Sequence, residues 1–90
     1  MEQIEVLDMT STILGKPYNA LLFNDSDHCM DEVAYQIVKA VRCDFAKANA
    51  IMLAAHKSGS AVVFSGTLER CELVCSVLEE IHLKTNVEEA

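Results

Sequence analysis

Basic side chains are scarce in this chain. Seven Lys and Arg stand against fourteen Asp and Glu, a formal net charge of −7 over 90 residues. A nucleic-acid-binding module needs a basic face to neutralise phosphates, and this inventory argues against one. Long apolar runs are missing as well. Nothing approaches the roughly 20 consecutive apolar residues of a membrane span, so no membrane partner is expected. The opening Met1-Glu2-Gln3-Ile4-Glu5 is acidic and lacks the basic flank of a secretory signal. A cytosolic site is expected, or an organelle whose targeting segment is not part of the sequence.

Signatures of catalysis are also lacking. There is no G-x-S-x-G, P-loop, H-E-x-x-H or G-x-G-x-x-G. Cys29 beside His28 offers a nucleophile and a base, but adjacent residues at a helix start point apart, and no separate carboxylate stands ready to orient the base. No C-x-x-C or H-x-x-x-H spacing links Cys29, Cys43, Cys71, Cys75 and the three histidines. The expectation is a non-enzyme without metal or cofactor. A thiol or metal-binding protein is the competing idea. Cys71 and Cys75, four apart within a helical pattern, read as small core residues.

What the chain does have is apolar content, 51% of residues, enough for the core of one small domain. Residues 1–16 hold no sustained period and read as a flexible arm, leaving 17–90 as the folded domain. Pro17 opens the short apolar run 18–23, a strand. Val33, Ile37, Val38 and Val41 recur at helical spacing, with Ala34 alongside and Asp31 and Glu32 in the first turn. Asp27 is the expected cap of that helix by residue type. Asp44 can cap a second helix whose one face carries Phe45, Ala48, Met52, Ala55 and His56, and Gly59 can end it in a left-handed turn. Residues 60–65 have the valine and aromatic content of a strand. Thr67 can cap a third helix with the stripe Leu68, Cys71, Cys75, Leu78, flanked by Val74 and Ile81. Residues 84–87 form a short third strand. The order β-α-α-β-α-β predicts an α+β domain, a three-stranded antiparallel sheet covered on one face by three helices.

The polar turn Asn24-Asp25-Ser26-Asp27 at the end of the first strand, set against His56 on the second helix, points to chemistry. A carboxamide oxygen, carboxylates and an unprotonated imidazole are acceptors. An apolar hollow lined by Met30 and Met52 would lie beside them. Together they suit an ammonium attached to an apolar side chain, and the free N-terminus of a protein is such a group. Each residue also has a plainer reading: the turn as helix cap, His56 as a hydrogen-bonded core or helix-end histidine, the methionines as core filling.

Three segments together resemble the ClpS family, small adaptors that hand proteins with destabilising N-terminal residues to a Clp-family AAA+ unfoldase. Leu21-Leu22-Phe23-Asn24-Asp25 resembles the family's leucine-rich strand ending in Asn-Asp-Asp. Met30 follows Asn24 by six, as a family methionine does. Ile51-Met52-Leu53-Ala54-Ala55-His56-Lys57-Ser58-Gly59 resembles the family's M-L-A-x-H-x-x-G signature. The resemblance covers about residues 17–90. It implies a ClpS-like fold related to the C-terminal domain of the ribosomal stalk protein.

It also implies roles. Asn24 and His56 would hold the α-amino group, and Asp25 the peptide near its first residues, with Ser26 and Asp27 beside them. Met30, Val33, Met52 and Ala55 would line the first-residue pocket, with His28 as neighbour and Leu83 at the rim. Glu69 would dock on the unfoldase. The implied ligands are N-degron-bearing proteins that start with Leu, Phe, Tyr or Trp, bound by a monomer in the cytoplasm, or in the plastid stroma for an organellar homologue. The sequence departs from the pattern at several places, and its third-strand segment is short of the proline and cysteine features often seen there. Ser26 stands where the family has a second aspartate, so Asp27 is the candidate substitute. His28-Cys29 replaces Thr-Pro, Ala55 replaces valine, and Val74 stands where a lysine is usual. A scaffold sharing the fold without a working pocket is the alternative function.

Overall fold

The computed structural model describes residues 16–90. The arm expected over residues 1–16 therefore lies outside the described residues, except for Lys16. Three strands and three helices follow in the order β1 (Tyr18–Phe23), α1 (Met30–Val41), α2 (Phe45–Ser58), β2 (Ser60–Gly66), α3 (Leu68–Leu78) and β3 (Thr85–Glu89), with a 3₁₀ turn (Glu79–Ile81) after α3.

The sheet order is β2-β1-β3 and both pairings are antiparallel. β1 is the strand best suited to the middle. Its inward residues Ala20 and Leu22 are buried, and its other side chains are half-buried. The β1–β2 register runs from Tyr18 opposite Gly66 to Phe23 opposite Ser60, with a bulge between Ala20 and Leu21. On the other edge Tyr18 faces Glu89 and Leu22 faces Thr85. Glutamates on β3 give that outer strand an edge that discourages further strand pairing.

α2 and α3 start as their sequences predict. The Asp44 carboxylate accepts from the Lys47 amide at 2.8 Å, and the Thr67 hydroxyl accepts from the Arg70 amide at 3.1 Å. α2 ends at Gly59, whose φ of 93° is comfortable only without a Cβ. α1 differs from expectation. Its cap position is Cys29, with no side-chain hydrogen bond, and not Asp27. The reason lies in the preceding loop, where Asp25 ties down the Asp27 and His28 amides and leaves Asp27 two residues short of the helix.

The helices bury Val33, Ala34 and Ile37 from α1, Ala48, Met52 and Ala55 from α2, and Cys71, Val74, Cys75 and Leu78 from α3 against Ala20, Leu22 and Val63 of the sheet. Leu22, Ile37, Leu78 and Cys71 are the largest side chains fully removed from water. Cys71 and Cys75 are buried free thiols, and burial pushes both up from the ordinary thiol value. The Cys71 thiol donates to the Tyr18 carbonyl at 3.3 Å. Two stripe residues sit further out than their spacing implies. Phe45 and Leu68 open their helices and are 38% and 40% exposed. Phe45 instead lies against the Tyr35 ring, centroids 4.9 Å apart. α1 is tied to the end of α3 by Gln36, which donates to the Val77 carbonyl at 2.6 Å, and by Lys39 paired with Glu80 at 2.9 Å.

Candidate functional site

At the end of β1 the chain leaves the sheet through residues 24–29 and enters α1. Two backbone bonds fix the start of this loop. The Phe23 amide donates to the Lys84 carbonyl at 3.0 Å, and the Asn24 amide donates to the Gly59 carbonyl at 2.9 Å. The second bond joins the loop to the C-terminal end of α2, three residues past His56. Sheet and helix thus hold Asn24 and His56 on the same hollow.

That hollow is a cavity of about 290 Å³ between β1, the loop, α1 and α2. It lies just under the range of small-molecule sites, roughly 300–1,000 Å³. Its buried walls are Leu22, Val33, Met52 and Ala55. Met30, 47% exposed, overhangs from the first turn of α1, and Phe23 contributes from the strand end. The polar lining is Asn24, Asp25, Ser26, His28 and His56. Asn24, Ser26 and His56 are exposed, and their side chains form no hydrogen bond among the described residues. The hollow therefore joins apolar walls to polar groups with spare acceptors, an arrangement that fits a cation carrying an apolar group.

Asp25 is the most fully hydrogen-bonded of these groups. Its Oδ1 accepts from the Asp27 amide at 2.6 Å and the His28 amide at 2.8 Å, and its Oδ2 lies 2.9 Å from His28 Nδ1. Both side chains are mostly covered, 14% exposed for Asp25 and 18% for His28. Burial pushes the Asp25 carboxyl up, but the two amides and the His28 ring outweigh it and hold the group below the ordinary carboxylate value. The hydrogen bond to Asp25 raises His28 above the ordinary imidazole value. Partial desolvation opposes that shift, while the Asp25 and Glu32 charges and the Ile81 backbone add to it. With Asp25 ionised and so only an acceptor, Nδ1 must be the donor of the 2.9 Å bond; a carboxylate therefore does orient His28, contrary to the expectation from the sequence, because the loop folds Asp25 back onto the ring.

The cavity brings together Asn24, Asp25, Ser26, His28, Met30, Val33, Met52, Ala55 and His56, all named from the sequence. Asp27 does not line it. It is exposed in the loop, with its amide bound to Asp25. Leu83, expected at the rim, is 2% exposed within the core, because the 3₁₀ turn and His82 in the left-handed region (φ 66°) fold it inward. Glu69 is exposed in the first turn of α3 and is not part of the cavity. Val74 points into the core, and Leu73 beside it is the outward residue, 64% exposed. Leu22 and Phe23 line the cavity although the sequence marked them only as strand. Their place immediately before Asn24 was the available signal.

A second, open hollow of about 340 Å³ lies between α3 and β3, lined by Glu72, Cys75, Glu79, Thr85, Asn86 and Val87. Its thiol is raised rather than activated, which does not suit nucleophilic chemistry. Among the described residues no group of three His, Cys, Asp or Glu side chains is placed to hold a metal ion. No helix of the described residues is long and apolar enough to cross a membrane.

Comparison with known proteins gives a family, two curated relatives and a solved structure. A family model described as ATP-dependent Clp protease adaptor protein ClpS matches residues 15–87. The E3 ubiquitin-protein ligase UBR1 of Drosophila melanogaster is 32% identical over 74 residues, which is 81% of this chain and 4% of that protein. UBR1 of Homo sapiens is 34% identical over 55 residues, 61% of this chain and 3% of that protein. The chain thus spans only a few per cent of the length of these curated relatives. Among solved structures, that of Agrobacterium tumefaciens ClpS2 bound to L-phenylalaninamide shares the fold. It matches with a TM-score of 0.79 at 22% identity, covering 83% of this chain and 98% of that one.

Proposed function

The chain belongs to the ClpS family, and we propose that it binds proteins through a free α-amino group and a bulky apolar first residue, Leu, Phe, Tyr or Trp, and delivers them to a Clp-type AAA+ unfoldase for degradation. The observation that carries the recognition half is the cavity itself, with apolar walls and a polar lining that holds unengaged acceptors on Asn24, Ser26 and His56. The ammonium would donate to the Asn24 carboxamide oxygen and to the neutral His56 ring. Asp25 would supply negative charge beside it. The first side chain would enter between Met30, Val33, Met52 and Ala55.

Magnitudes favour a modest affinity. Hydrogen bonds to a charged group contribute about 1.5–3 kcal/mol each. Burying a leucine or phenylalanine side chain contributes about 1.5–3 kcal/mol. Lost translational and rotational freedom offsets much of that sum, which leaves on the order of −8 kcal/mol, or micromolar binding. Micromolar grip is enough for an adaptor, because tethering raises the substrate's effective concentration at the motor. The family supports the delivery half, and exposed Glu69 on α3 is the proposed contact to the unfoldase.

Titration with Leu- and Phe-initiated peptides tests the reading. Micromolar binding is expected, with the same peptides N-acetylated binding on the order of a hundredfold more weakly, since acetylation removes the charge and two donors. Equal binding of the free and acetylated peptides would overturn it. The scaffold alternative, a domain with this fold but no working pocket, predicts that Asn24→Ala and His56→Ala leave partner binding intact. The adaptor reading predicts that both abolish capture of a Phe-initiated reporter.

A further inference from the structure

The pair formed by His28 and Asp25 is more than a loop staple. It is built into the lining of the cavity, its two side chains are mostly covered, and one of its members changes charge near neutral pH. We propose that His28 is a positioning residue that makes amine binding compete with a proton: it aims the Asp25 carboxylate through Nδ1, and protonation of its other ring nitrogen cancels the negative charge that an incoming ammonium meets. This rests on the reading of the cavity as a site for a cationic chain start.

The argument is one of charge and geometry. Asp25 Oδ1 is taken by the Asp27 and His28 amides, and Oδ2 by His28 Nδ1 at 2.9 Å, so the carboxylate is fixed in place before any ligand arrives. With His28 neutral, the pair carries one negative charge against the cavity. With His28 protonated it carries none, and an imidazolium lines the site that must accept a second cation. The groups facing His28 come from every neighbouring element. Asp25 acts from the loop, Glu32 from the first turn of α1, and the Ile81 backbone from the 3₁₀ turn. All three favour the protonated ring, and partial desolvation opposes it. His56 shares the cavity from α2 and supplies a separate acceptor. Its own protonation also weakens binding, so the two histidines must be told apart by experiment. Glu32 and Ile81 hold the proton against the ligand. By linkage, a ligand that is weakened by the His28 proton must in turn lower the affinity of His28 for that proton.

The test uses the full chain, L-phenylalaninamide and L-leucinamide as ligands, and their N-acetylated forms as controls. The His28 ring is titrated by NMR with and without saturating amide. Affinity is measured from pH 5 to 7, below the ordinary α-amino range of about 7.7–8.0, so that the ligand stays charged. A second protein carries His28→Asn, whose side-chain amide can donate to Asp25 without titrating. The expected result is a downward move of the His28 midpoint on saturation, by roughly a pH unit or less. Wild-type affinity should also fall about three- to tenfold further than that of His28→Asn between pH 7 and 5, as expected for a partly screened charge near the site. An unmoved His28 midpoint, or equal pH slopes in the two proteins, overturns the proposal while leaving the amine reading in place. If neither amide binds, or acetylated and free amides bind alike, the amine reading falls and this inference with it. Should His28→Asn fail to fold, the wild-type midpoint decides alone.

Discussion

α1 and its two companion helices begin in opposite ways. α2 and α3 each open with a side-chain acceptor, Asp44 and Thr67, bound to the amide three residues on. α1 opens at Cys29, which caps nothing, although five polar residues lie just before it. In that loop Asp25 bonds to the loop's own amides and to His28, and Asn24, Ser26 and His28 face the cavity. The contrast teaches where polar residues serve the fold and where they serve a site. At α2 and α3 an acceptor satisfies a helix end. At α1 the helix end goes without, and the acceptors are arranged around an empty volume. Burial of Val33, Ala34 and Ile37 holds α1 in place despite the missing cap.

Removing Asp25 should break the contrast most severely. Asp25→Ala frees two amides and the His28 ring at once and is expected to cost about 1–2 kcal/mol of stability, given hydrogen bonds to a charged acceptor that is partly wet. It should also abolish measurable binding of a Phe-initiated peptide. Calorimetry and chemical denaturation read the two effects. A variant as stable as the parent would show that the loop does not depend on this carboxylate.

The capped helices provide the smaller, complementary perturbation. Asp44→Ala and Thr67→Ala should each cost about 1 kcal/mol in urea melts and leave peptide affinity unchanged. Cys29→Ser, which puts an acceptor where α1 lacks one, should add about 0.5 kcal/mol if the loop lets the hydroxyl reach the third amide. No gain there would mean that Asp25 holds the backbone in a shape that excludes a cap.

The smallest expected effect is with pH. His28 is raised in the folded protein, so its contribution to loop stability is complete below the ordinary imidazole value and is lost as pH rises through the raised one. Asp25 is lowered, so its contribution is present above the ordinary carboxylate value and is lost as pH falls through the lowered one. Amide exchange at Asp27 and His28, corrected for intrinsic rates, should therefore be slowest in the mildly acidic window between the two ordinary values. It should quicken on either side. The amides of Lys47 and Arg70, held by Asp44 and Thr67, should show no loosening above neutral pH. A flat profile at His28 would separate its amide from the ring pairing.

Much of this architecture was legible from residue type and spacing. β1 occupies the apolar run 18–23, β2 extends one residue beyond the valine-rich segment, and Gly59 ends α2 in the left-handed turn that its sequence implies. Those features are local, and local chemistry determines them. The misses are those in which tertiary position overrides local preference. Asp27 has the composition of a cap but not its place, because Asp25 shapes the turn first. Leu83 follows a turn that only the packed protein reveals, so nothing in its neighbours marks it as core. The bulge after Ala20 leaves no trace in composition. In the site, the residues around Asn24 and His56 were visible as polar groups ending an apolar strand and an apolar helix face. The pairing of Asp25 with His28 was not, since it depends on how the loop folds the Asp27 and His28 amides back onto the Asp25 carboxylate.

The four cysteines occupy very different surroundings: Cys29 in water beside the cavity, Cys43 half-covered, and Cys71 and Cys75 buried with suppressed acidity. A maleimide pulse will therefore modify the first rapidly and the last two only when the chain comes apart. One gel lane reports crowding at the mouth through the fast adduct and global opening through the slow ones, with no engineered label.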